Sequence, residues 1–69
     1  MLVNLYYVRF PRADMDGMKV LVKITHPEFK RLFDLFVPTK PPVIEPYKGV
    51  KRIIYDCNAF ELIHTTKAD

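Results

Sequence analysis

The chain has 69 residues, 49% of them hydrophobic, with 11 Lys and Arg against 8 Asp and Glu and a formal net charge of +3. That length leaves room for one core only. The lone cysteine, Cys57, excludes an internal disulfide framework. Two His, two Gly and no Trp supply neither a metal-ligand cluster nor a phosphate-cradling glycine loop.

Residues 2–10 are rich in Val, Leu, Tyr and Phe and read as a strand. Leu2, Tyr6, Val8 and Phe10 lie on one face, and Val3, Leu5, Tyr7 and Arg9 on the other. Both faces are apolar for most of their length, the pattern of a strand covered on both sides. Residues 11–17 form a hairpin connection, opened by Pro11 and turned at Asp16-Gly17. Asp14-Met15-Asp16-Gly17 has the opening of a calcium loop, but Lys23 stands where the closing glutamate is needed. A second strand covers 18–25, with Met18, Val20, Val22 and Ile24 alternating with Lys19, Leu21, Lys23 and Thr25.

Thr25-His26-Pro27-Glu28 is a capping box, with Pro27 tolerated in the first helical turn. The helix it starts carries Phe29, Leu32, Phe33 and Phe36 in one stripe. That stripe is expected to pack on Met18, Val20, Val22 and Ile24. Pro38 ends the helix. The segment 38–49 holds Pro38, Pro41, Pro42 and Pro46 and reads as a long extended connection, either a stiff strap or a binding element. A third strand is expected over 50–55, a tight turn at Asp56-Cys57-Asn58, a fourth strand over 59–65, and a frayed tail at 66–69. The expected fold is a small two-layer α+β domain of order β-β-α-β-β. Its sheet is mainly antiparallel, and one helix packs on one face.

Polar residues interrupt every apolar run well short of a membrane span, and no basic region opens the chain. Neither a signal peptide nor a transmembrane helix is therefore expected. A lone cysteine suits a reducing, cytoplasmic compartment. Cys57 reads as a small hydrophobe beside a turn. His26 and His64 could join Asp56 or Glu61 only through tertiary structure, and the acids are scattered. No catalytic residue, cofactor or metal is expected.

The remaining signal is contact surface. One helix covers one sheet face, and the other would expose Val3, Leu5, Tyr7 and Leu21; Tyr47, in the proline-rich segment, is a further contact candidate. Aromatic residues, Met and Arg are the side chains interface cores favour. The expected function is thus a non-enzymatic protein-binding module: an inhibitor, an adaptor, a small subunit or a regulator of phage or mobile-element origin. It would act through that face and the proline-rich loop, with β-augmentation at a sheet edge or pairing with itself as a homodimer as modes of contact. The alternative is nucleic-acid binding through Arg9, Arg12, Lys19, Lys23, Lys48, Lys51 and Arg52. Tyr6, Tyr7, Tyr47 and Tyr55 would then serve as stacking platforms, although no nucleic-acid motif is present.

Overall fold

The computed structural model describes residues 4–14 and 16–67. They form β1 (Asn4–Pro11), β2 (Lys19–Ile24), α1 (His26–Leu35), β3 (Val43–Tyr47), β4 (Val50–Asp56) and β5 (Glu61–Lys67). The five strands make one sheet of order β2-β1-β5-β4-β3, antiparallel throughout. This is the α+β arrangement expected from the alternation, with one more strand than the sequence pattern showed.

The extra strand comes from the proline-rich segment, which is not a loop as far as Gly49. Residues 43–47 pair with β4, with Val43 opposite Ile54 and Tyr47 opposite Val50. Lys48 and Gly49 both have positive φ, 44° and 82°, and join the two strands in a two-residue turn of the primed kind. Pro46 is compatible with pairing because β3 is an edge strand. The expected tail is also shorter: Thr66 and Lys67 belong to β5 and pair with β1 and β4.

The remaining turns follow their local chemistry. The Arg12 N–H donates to the Met18 carbonyl at 2.9 Å, closing the first hairpin, where Gly17 has φ 78°. Asn58, at φ 77°, donates its N–H to Asp56 Oδ1 at 2.8 Å, a side-chain mimic of a turn. The capping box is complete. Thr25 Oγ1 accepts from the Glu28 N–H, and Glu28 Oε1 accepts from the Thr25 N–H.

The helix does not sit where the sequence placed it. Phe29 lies against Tyr6, Tyr55 and His64, with ring centroids 4.9, 6.2 and 6.2 Å away, and Phe33 meets Tyr55 edge-on at 5.1 Å. Its seat is therefore β1, β5 and β4. Val20, Val22 and Ile24 do share the helix side of the sheet, since they pair with Phe10, Val8 and Tyr6. Yet Val22 is 42% and Met18 47% exposed. The reason is strand order: β2 is an edge, and a ten-residue helix centred on a five-stranded sheet does not reach it. Phe36, 48% exposed, instead meets Phe60 at 5.2 Å.

Candidate functional site

The sheet face turned away from the helix carries Leu5, Tyr7 and Arg9 of β1, and Lys19, Leu21 and Lys23 of β2. Glu61, Ile63 and Thr65 of β5, Val50, Arg52 and Ile54 of β4, and Val43, Glu45 and Tyr47 of β3 complete it. A flat sheet would hold its outer strands roughly 19 Å apart, four gaps of about 4.8 Å each. Leu21 and Tyr47 come from those outer strands and nevertheless line the same hollow. The sheet is thus curled, with this face concave, the expected result of accumulated strand twist.

The hollow measures about 210 Å³ and is lined by Leu5, Tyr7, Leu21, Tyr47, Val50, Arg52, Ile63 and Thr65. Its floor is dry: Ile63 is 2% and Thr65 8% exposed, and the neighbouring Ile54 is 7% exposed. Its rim is open, with Leu21 and Tyr47 half exposed. The Arg52 guanidinium stacks over the Tyr47 ring, 4.8 Å from its centroid, and Lys48 approaches the same ring at 5.5 Å. Toward one end of the face, Glu61 Oε1 accepts from Arg9 Nε at 2.9 Å and from Lys19 Nζ at 3.3 Å. The Arg9 hydrogen bond holds the Glu61 carboxyl below its ordinary range, against the opposing effect of burial.

Leu5, Tyr7 and Leu21, expected on the uncovered face, and Tyr47, expected in the proline-rich segment, therefore meet in one place. Val3 lies outside the described residues. Ile63 and Thr65, which build the floor, and the neighbouring Ile54 were not singled out. Their alternation was visible in the sequence, but only the strand order puts β5 and β4 beneath the rim.

Of the basic residues expected for nucleic acid, Arg9, Lys19, Lys23 and Arg52 share the concave face, and Lys48 lies over the Tyr47 ring beside them. Arg9 and Lys19 are tied to Glu61, and Arg12 to Asp14 at 2.7 Å. Lys51 stands on the helix side, two positions from Ile53, while Lys23 and Arg52 are on the concave side. Tyr6 and Tyr55 lie beneath the helix. The two histidines do converge, though around Tyr6 and away from the acids: ring centroids are 5.1 Å for His26 and 4.7 Å for His64. His64 Nε2 is 3.0 Å from Asn4 Oδ1. Burial, then His26 and Lys51, lower the His64 pKa. Asp56 and Glu61 belong to the opposite, concave side.

A second hollow, about 400 Å³, lies beside the C-terminal end of the helix and is bordered by Leu35, Phe36, Val37, Lys40, Asp56 and Cys57. Its apolar walls, Leu35 and Val37, are about two-thirds exposed, so it is a shallow surface recess. Burial and the adjacent Asp56 push the Cys57 thiol up and keep it protonated, the opposite of what a nucleophile needs. Among the described residues no three of His, Cys, Asp and Glu stand close enough to hold a metal ion together. No helix among them is long and apolar enough to cross a membrane. Comparison with family models, with curated proteins and with solved structures returns no match.

Proposed function

We propose that this chain is a non-enzymatic protein-binding module, an inhibitor, adaptor or small subunit working in a reducing, cytoplasmic compartment, and that it engages its partner through the concave sheet face. One observation carries the reading: an apolar hollow with a dry floor and an open rim of Leu21, Tyr47 and Arg52. Tyr and Arg at such a rim are the anchors that interfaces use most heavily. A homodimer through the same face is the second form of this reading. It would bring Lys23 and Lys19 of two copies toward each other and so requires them at the rim.

Nucleic-acid binding remains the alternative. It is weakened because Arg9 and Arg12 are already ion-paired and because Tyr6 and Tyr55, two of its stacking platforms, lie beneath the helix. A photo-crosslinking amino acid at Tyr47 tests the proposal, with one at Lys30 on the helix as control. A discrete protein adduct from the Tyr47 position alone is expected. Adducts to nucleic acid, or equal labelling from both positions, would reject it. Sedimentation equilibrium separates the two forms, since a monomer of 8.1 kDa removes the homodimer.

A further inference from the structure

The two edges of the sheet are built differently. In an antiparallel ladder, residue pairs alternate between those that exchange backbone hydrogen bonds and those whose N–H and C=O point away from the partner strand. The Arg12 N–H to Met18 carbonyl bond fixes that alternation for the β1–β2 pair. Counting from it through the register, Val20, Val22 and Ile24 bond to β1, and Lys19, Leu21 and Lys23 turn their backbone groups outward at the free edge. The Cys57 N–H to Phe60 carbonyl bond does the same for β4 and β5. Carried across β4, it makes Val43, Glu45 and Tyr47 the residues that bond inward, and Ile44 and Pro46 the ones that face out. Pro46 has no N–H, so the β3 edge offers an incoming strand one donor only, that of Ile44. The β2 edge offers three donors and three acceptors in a row. Such an edge is a template for strand addition unless something blocks it.

We infer that the β2 edge receives an extended segment of another protein that carries acidic residues two positions either side of an apolar one. This rests on the protein-binding reading above and names the chemistry of the partner. The residues with outward backbone groups project Lys19, Leu21 and Lys23 onto the concave side. A strand added there sets its own alternate side chains directly beside them, close enough for cross-strand pairs to form. Opposite charges are favoured beside the two lysines, and an apolar side chain beside Leu21 extends the wall of the hollow that Leu21 already lines. Lys23 makes no ion pair among the described residues, and Lys19 is half exposed with Glu61 at 3.3 Å. A second copy is the poorer occupant. The symmetric pairing that uses all three residues, Leu21 against Leu21, sets each Lys19 against the Lys23 of its mate, and like charges directly opposite are unfavourable.

The test uses the peptide Thr-Glu-Thr-Val-Thr-Glu-Thr, which reads the same in either direction and so serves parallel and antiparallel addition alike. Its binding is followed by fluorescence anisotropy, and its position by amide shifts in 15N-labelled protein. The expected result is binding at least tenfold tighter than that of the counterpart with Lys in place of both Glu, with the largest shifts at Lys19, Leu21 and Lys23. N-methylation abolishes it without any change to the protein, at the Glu and Val amides if the peptide adds antiparallel and at the inner Thr amides if it adds parallel. Leu21→Pro, which removes the outward N–H together with the side chain, gives the same loss, Leu21→Ala, which keeps the N–H, gives a smaller one, and Lys23→Glu lessens the preference for the acidic peptide. Equal binding of the Glu and Lys peptides, indifference to both sets of N-methylation, or no binding at millimolar peptide would each overturn the inference. Shifts confined to Leu5, Tyr47 and Ile63 would also overturn it while leaving the hollow as a protein-binding site. A dimer that Leu21→Pro dissociates and Leu21→Ala leaves intact would overturn it by giving the edge to a second copy. If the peptide binds the edge but Tyr47 crosslinks to no protein, the edge stands and the concave-face reading falls.

Discussion

On one side of the sheet, Phe29 reaches down from the helix into a ring of Tyr6, Tyr55 and His64 and becomes buried by being covered. On the other side, Ile63, Ile54 and Thr65 are buried as deeply with no element laid over them. They are sheltered because the sheet curls and its outer strands raise Leu21 and Tyr47 around them, with Tyr7 of β1 beside Leu21. A small domain short of apolar surface to bury can thus use both faces of one sheet with a single helix. The second face then keeps an open rim, because the side chains that shelter the floor are themselves half exposed. The helix covers only the middle of its own side, leaving Val22 at the β2 edge and Ile44 at the β3 edge exposed, while the concave side is sheltered at its floor and open at its rim.

The comparison can be broken by substitution. Phe29→Ala has the largest expected effect, about 3–5 kcal/mol in denaturant unfolding, a large share of what so small a domain possesses. Phe33→Ala, at a half-buried position, should cost clearly less. Ile63→Ala on the uncovered side should still cost about 2–5 kcal/mol. A loss below about 1 kcal/mol would mean that the concave floor is not a core and that the two faces are not equivalent. Next comes Thr25→Ala, at about 1 kcal/mol through the lost cap, with Thr25→Ser nearly neutral because the hydroxyl is retained. Equal losses in both variants would assign Thr25's contribution to its methyl group.

The smallest effect is on pH dependence, and it too differs by face. Arg9 holds the folded-state pKa of Glu61 below its ordinary 4.5. The stabilisation is therefore complete above that value and is lost as pH falls through the lower folded pKa. Because the pair is a quarter exposed, the change should stay under about 1 kcal/mol. On the helix side, the lowered pKa of His64 means the unfolded chain binds a proton first. Stability should then fall as pH drops below the ordinary 6.5. Unfolding titrations of Glu61→Gln and His64→Gln separate the two: the first flattens the acid limb below pH 4.5, the second the limb that starts near 6.5. A parent profile without a step in either window contradicts both assignments.

Much of this was legible in the residues because it is local. Alternation in 18–25 assigned Val20, Val22 and Ile24 to one face and Lys19, Leu21 and Lys23 to the other, since strand side chains alternate whatever the strand later pairs with. The capping box placed the start of the helix at Thr25, since its two hydrogen bonds lie within four residues. The β3–β4 hairpin was also written locally, in Lys48-Gly49 between the apolar Val43 and Ile44 and the run from Val50, but the four prolines outweighed it. What makes Pro46 acceptable is an edge position, which no local pattern reveals. Tertiary structure alone decided the strand order, and with it three further things. The helix sits over β1, β5 and β4 because those strands occupy the middle of the sheet. The floor of the hollow is Ile63 and Thr65 because β5 lies beneath the rim. And Leu21 and Tyr47, 26 positions apart in the sequence, line one hollow because five twisted strands curl enough to bring the outer two together.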